Sequence, residues 1–202
     1  MQISLQAAGK RFNKEWIFRN LSYEFEAGKH YALIGNNGSG KSTLLQIISG
    51  YATLSKGTIN WDPYDANSIY QQISIAAPYL ELIEELTTLE QLDFHIKFKP
   101  LQKQLSFQKI IELVGLQNAT HKQIRYFSSG MKQRLKLALA IFSEAPILLL
   151  DEPCSNLDQE GIDLYHHLIQ HYAKHKLIIV GSNDAQEYSF CSHHLNLLDF
   201  KK

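Results

Sequence analysis

Gly35-Asn36-Asn37-Gly38-Ser39-Gly40-Lys41-Ser42-Thr43 is the stretch that decides the fold. It fits G-x-x-x-x-G-K-[ST], a loop whose backbone N–H groups cradle phosphates. On its N-terminal side His30-Tyr31-Ala32-Leu33-Ile34 reads as a short buried strand. On its other side Leu44, Leu45, Ile47 and Ile48 recur at helical spacing before Gly50. Strand, loop and helix therefore follow in the order that a phosphate loop needs. The glycines let the backbone approach phosphate oxygens, and the helix start adds oriented N–H donors and a positive dipole end. In that role Lys41 reaches the β and γ phosphates, Ser42 offers its hydroxyl to Mg²⁺ and Thr43 adds a further donor.

The chain of 202 residues is long enough for one substantial core, or for one core with an inserted lobe. Lys plus Arg and Asp plus Glu each total 20, a balance that gives no electrostatic footprint for nucleic acid or for an anionic membrane. The two cysteines, Cys154 and Cys191, are too few for a disulfide framework and read as small packing residues in a reducing compartment. No apolar run approaches the roughly 20 residues of a membrane-spanning helix, and Met1-Gln2-Ile3-Ser4 does not begin a signal peptide. A cytoplasmic location is expected, with any attachment to a membrane supplied by another protein.

Ile3, Leu5 and Ala7 alternate, as do Leu21, Tyr23 and Phe25, so antiparallel strands are expected ahead of the phosphate loop. Phe12, between them, is either an aromatic that stacks on a base or a core residue. The segment 57–61 reads as a turn and strand, and 72–77 as a strand that Pro78 stops. From Leu86 the period becomes helical. Thr88 is the expected cap of a helix carrying Leu89, Leu92, Phe94, Ile96 and Phe98. A second amphipathic piece ends at Gly115, and a third starts at Ser128-Ser129-Gly130. Lys97, Lys99, Lys103 and Lys109 read as solvated faces of this lobe.

Ile147-Leu148-Leu149-Leu150-Asp151-Glu152 reads as a parallel strand buried on both faces that delivers two carboxylates to its C-terminal end. Next to a Mg-nucleotide, Asp151 holds the metal ion and Glu152 orients and deprotonates the attacking water. A helix from about Gln159 to Lys174, a strand 177–180, a polar turn 181–184 and a last helix and strand complete the chain. His167, His171 and His175 share one face of that helix; with no H-E-x-x-H glutamate beside them, a solvated face is expected rather than a metal site.

Phe127-Ser128-Ser129-Gly130-Met131, Leu150-Asp151-Glu152-Pro153 and Ser155-Asn156-Leu157-Asp158, in this order behind the phosphate loop, resemble the ATP-binding cassette (ABC) ATPases over nearly the whole chain. The resemblance implies an α/β fold: a P-loop (RecA-like) core, an antiparallel β subdomain, and a helical subdomain inserted at about 86–144. It assigns Phe12 to the A-loop, 35–43 to Walker A, 127–131 to the signature, Asp151 to Walker B and Asp158 to the D-loop. It further implies ATP and Mg²⁺ as ligands. Two domains would face each other head to tail, so that Ser128, Ser129 and Gly130 of one meet the γ-phosphate held by the other. The residues agree, since small residues at a helix start present free N–H groups to an anion; Ser128 also reads as a plain N-cap.

Three positions depart from the pattern. Met131 stands for the signature glutamine, Pro78 or Tyr79 for the Q-loop glutamine, and Asn183 for the switch histidine. An amide can hydrogen-bond a γ-phosphate but carries no proton or charge for it, so slow hydrolysis is expected, with Glu152 as base. The function expected is the ATPase subunit of a transporter at the inner face of the membrane, driving a separate permease that docks at residues 78–85, with export favoured over import. Two other readings stay open: a soluble ATP-gated switch protein, and a weakly hydrolysing half of a heterodimer.

Overall fold

The computed structural model describes residues 1–201. Strands β1 (Gln2–Phe12) and β2 (Glu15–Glu26) form a hairpin. Strand β3 (His30–Ile34) then runs into the phosphate loop, and helix α1 (Lys41–Ile48) leaves it. Strand β4 (Lys56–Asp62) returns to β1, which completes an antiparallel sheet of order β2-β1-β4. The alternation expected through Ala7 stops at Leu5. Ala7 sits in a bulge at φ 46° and is exposed, and Ala8 takes the inward place.

Strand β5 (Ile73–Ala76) is followed by helices α2 (Thr88–Ile96), α3 (Phe107–Leu113) and α4 (Ser129–Ile141) before β6 (Ile147–Asp151). Helix α5 (Gln159–Leu168), β7 (Leu177–Gly181) and β8 (His193–Asn196) end the chain. The second sheet has the order β5-β6-β7-β3-β8, with every pairing parallel. Its central strands are apolar on both faces because both faces are covered. Ile147, Leu149, Leu177 and Ile179 pack with α1 and the antiparallel sheet, while Leu148, Leu150, Ile178 and Val180 pack with α4 and α5.

Thr87, not Thr88, caps α2. The Thr87 hydroxyl accepts from the Glu90 N–H while the Glu90 carboxylate accepts from the Thr87 N–H at 2.8 Å, the reciprocal box that T-x-x-E encodes. The buried Thr88 hydroxyl donates instead to the Ala119 carbonyl at 2.9 Å. Only part of the expected apolar set is inward: Leu92 is buried, Phe94 and Ile96 are exposed, and Phe98, also exposed, lies beyond the end of α2. Lys97 and Lys109 do pair with acids on solvated faces, whereas the Lys99 ammonium is drawn in to the Ile73 carbonyl.

Helix α5 is shorter than its periodicity implies. After Leu168 the backbone passes into a π turn, Ile169–Ala173, so the phase of the face carrying the histidines changes. His167 and His171 stack at 4.1 Å, and no cluster of three metal-ligating side chains occurs among the described residues. Gly181 belongs to β7 rather than to the turn after it, and the last helix is a four-residue 3₁₀ turn, Ala185–Tyr188.

Thr87→Ala removes the hydroxyl half of the capping box, the acceptor for the Glu90 N–H, and chemical denaturation is expected to show a loss of about 1 kcal/mol. Unchanged stability would show that α2 is held by its packing alone.

Candidate active site

Helix α1 starts at Gly40, whose φ of 103° is open to glycine without strain, and no side chain caps its first turn. A β-carbon at position 40 would lie 2.5 Å from Cγ2 of Ile17, so glycine also lets β2 close over the loop. The free N–H groups of this turn are left to an anion. Lys41 is buried, and its ammonium donates to the carbonyls of Gly35 at 2.8 Å and Asn36 at 3.3 Å. That contact folds the lysine back along the loop, with one ammonium proton unassigned to any partner. The Ser39 hydroxyl is buried inside the same loop without a partner.

Asp151 ends β6 at 2% exposure, and its Oδ1 has no hydrogen-bond partner. Burial pushes its carboxyl above the ordinary carboxylate range; the neighbouring Ser42 hydroxyl pulls it back, the Glu152 charge raises it again and Lys41 lowers it. A buried carboxylate oxygen without a donor, beside a serine hydroxyl, is an oxygen donor set that fits Mg²⁺. Glu152 follows at φ 45°, a strained value for a residue with a side chain, and its N–H donates to the Gly181 carbonyl at 2.9 Å. Asn37, Gly38, Gly40, Lys41, Ser42, Thr43 and Glu152 line one cleft of about 300 Å³. Asn183 reaches its rim, where the side-chain amide donates to Oδ1 of Asn37 at 3.3 Å.

Phe12 is not among the residues that line this cleft. It is exposed near the turn of the β1–β2 hairpin, its ring 5.1 Å from the Lys10 ammonium. Ile17 is the side chain of that hairpin that does line the cleft, and the sequence reading passed over it. Its only signal was its place next to the inward-facing Phe18 in an alternating strand.

Ser128, Ser129 and Gly130 lie elsewhere. The Ser128 hydroxyl caps α4 by accepting from the Met131 N–H at 3.2 Å. Asp158 caps α5 by accepting from the Gly161 N–H at 2.9 Å, and it faces Arg134 at 3.4 Å. These residues line a second cleft of about 430 Å³, which shares no lining residue with the first. The two groups of predicted site residues therefore lie in different clefts.

At the Q-loop position it is Tyr79 that faces the acidic centre. Its phenol is pushed up to about 12, first by burial and then by the Asp151 charge, with the Gln46 side chain acting the other way. Pro78 instead offers its carbonyl to Lys136 at 3.3 Å. Beyond them Leu80, Glu81 and Leu82 flank a groove of about 310 Å³ against α2 and α4, with His95, Lys99 and Lys136 in its lining. Burial holds His95 down to about 4, so it is neutral there at pH 7. Cys154 and Cys191 are buried, and burial pushes both thiols up, as expected of packing residues.

Comparison with known proteins places this geometry among relatives. A family model described as ABC transporter matches residues 18–155. The uncharacterized ABC transporter ATP-binding protein YybJ of Bacillus subtilis is 35% identical over 188 residues, covering 88% of this chain and 84% of that protein. The cytochrome c biogenesis ATP-binding export protein CcmA of Bradyrhizobium diazoefficiens is 34% identical over 171 residues, covering 84% and 85%. Among solved structures, the ATP-binding cassette MJ0796 in a dimeric post-hydrolysis state bound to ADP and Pi shares the fold. Its TM-score is 0.82 at 21% identity, over 96% of this chain and 93% of that one.

Because the Asp151 carboxyl is raised in the folded protein, the unfolded chain loses its proton at lower pH. The folded state is then penalised progressively as pH rises above the ordinary carboxylate value. Asp151→Asn is therefore expected to raise the melting temperature of the protein in chelator, by about 2–10 °C. The same change removes the further stabilisation by Mg-ATP. A lower melting temperature in chelator would contradict this reading of Asp151.

Proposed function

Because the chain belongs to the ABC transporter family of ATP-binding proteins, we propose that it is an ATP-hydrolysing subunit that works as a head-to-tail pair and drives a separate membrane permease in the export direction. The observation that carries this reading is the separation of the two clefts. Lys41, Ser42, Asp151 and Glu152 converge on one, while Ser128, Ser129, Gly130 and Asp158 gather at another, so that neither surface of a single chain encloses a nucleotide. A second chain turned to face the first supplies what each lacks.

In this reading the loop 35–43 takes the phosphates of ATP. Lys41 exchanges its two carbonyl contacts for phosphate oxygens, which makes the loop close around its ligand. Ser42 and Asp151 hold Mg²⁺, whose chemistry is to neutralise charge on the phosphates. Glu152 accepts the proton of the attacking water, and the Asn183 amide donates to the γ-phosphate from the rim. Ile17 approaches the base from the hairpin. Residues 86–144 form an inserted helical lobe that carries the signature, and Asp158 of the D-loop accompanies it across the pair.

The groove beside 78–85 suits the permease. Leu80 and Phe98 stand exposed in its lining, and exposed apolar side chains rimmed by polar ones mark a surface for a partner. No helix among the described residues is long and apolar enough to cross a membrane, so attachment to the inner face of the membrane comes through that partner. Export is supported by the printed name of the CcmA relative. The amide at 183, which cannot share a proton as an imidazole does, makes turnover slow.

Measured ATP turnover tests the residue roles. Glu152→Gln is expected to lower it by about 100-fold or more, and Asn183→His to raise it. Full turnover in Glu152→Gln would overturn the assignment of the base.

A further inference from the structure

A buried carboxylate with no cation beside it stands just behind this site. Glu187, in the 3₁₀ turn that follows Asn183, is 5% exposed and makes no ion pair among the described residues. Its Oε1 accepts from the backbone N–H of Cys154 at 2.7 Å, and its Oε2 has no hydrogen-bond partner. The Ser182 hydroxyl lies beside the carboxyl, and the fully buried Tyr165 of α5 donates its hydroxyl to the Glu187 carbonyl at 2.8 Å. Burial pushes the carboxyl above its ordinary value, with Ser182 and the Cys154 N–H pulling the other way. A charge in such surroundings is costly, and a neutral packing residue would avoid that cost.

What the carboxylate touches explains why the cost is borne. Cys154 lies two residues beyond Glu152, which is held at φ 45° by its own N–H to Gly181 on one side. On the other side the backbone N–H of Cys154 is held by the Glu187 side chain. Ser182 lies one residue before Asn183, and the Ser182 hydroxyl in turn accepts from the Asp184 N–H at 2.9 Å. Glu187 thus bridges the two turns: its carboxylate holds the Cys154 N–H beyond Glu152, and its own backbone N–H donates to the Asp184 carbonyl at 3.1 Å, next to Asn183.

We propose that Glu187 is a positioning residue that ties these two turns together, so that Glu152 and Asn183 keep a fixed relation to the scissile phosphate. The proposal rests on the reading of the cleft as an ATP-hydrolysing site. Glu187 touches no substrate. It acts by fixing the backbone from which two substrate-facing groups project, and a small misplacement of such groups is costly in rate.

The test is a double-mutant cycle between Glu187→Ala and Asn183→Ala, read as kcat and KM for ATP and as the ratio of ATP to ADP affinity, which needs no turnover. Glu187→Ala is expected to lower kcat by about 10- to 100-fold with KM little changed, and to reduce the preference for ATP over ADP. Glu187→Gln, which keeps an acceptor for the Cys154 N–H, restores most of both. Asn183→Ala then costs much less on the Glu187→Ala background than alone. Effects that simply multiply, or a Glu187→Ala variant with unchanged kcat and affinity ratio, would overturn the proposal. Glu187→Met, which keeps the bulk of the side chain, carries the same cycle should the alanine variant not fold. If Glu152→Gln retains full turnover, the hydrolysis reading fails, and the affinity ratio alone still decides whether Asn183 depends on Glu187.

Discussion

The approach of α1 to the end of β6 depends on there being no side chain at position 181. Gly181 is in register with Asp151 on one neighbouring strand and with Leu33, just before the phosphate loop, on the other. A β-carbon there would stand 2.9 Å from Cδ1 of Leu45, 3.3 Å from Oδ1 of Asp151 and 3.4 Å from Cβ of Lys41. Lys41 and Asp151, proposed to meet phosphate and metal, come together over this gap. Its carbonyl, which accepts the Glu152 N–H, also fixes the residue assigned to proton transfer. One glycine in the middle of a parallel sheet therefore sets the spacing of the whole cleft.

The site is also where the molecule is least satisfied. The buried side-chain atoms without a hydrogen-bond partner among the described residues are Ser39 Oγ, Asp151 Oδ1 and Glu187 Oε2. The first two lie in the phosphate loop and on the carboxylate proposed to meet Mg²⁺, and the third lies just behind Glu152. With Glu152 strained as well, the free energy given up is concentrated on groups that a nucleotide and its metal would satisfy. The core elsewhere makes no such sacrifice: β6 and β7 are buried along their whole length.

Most of the fold was legible because its signals are local. A strand apolar at every position can only be covered on both faces, so 147–150 announces a parallel sheet without reference to the rest of the chain. The phosphate loop is equally local. Errors arose where the deciding partner is distant or a single residue changes the phase. The bulge at Ala7 shifts β1 by one place, the π turn after Leu168 rotates the histidine face, and Glu90 selects Thr87 over Thr88 as cap. Ile17 and Glu187 could not be found from periodicity, since each owes its role to a neighbour far along the chain. Phe12 is the converse case, a residue marked by its type whose side chain lies outside the cleft.

The claim on which the account rests is that one nucleotide site is built from two chains. It is tested by mixing Lys41→Ala, which spoils the phosphate loop, with Gly130→Asp, which spoils the signature, and measuring ATP turnover against the proportion of each. Each variant alone is expected to be inactive. A mixed pair has one site with both defects and one with neither, so the account predicts that turnover reappears on mixing and peaks near equal proportions. A mixture no more active than its separate components would show that the loop and the signature of the same chain act together, and would contradict the account.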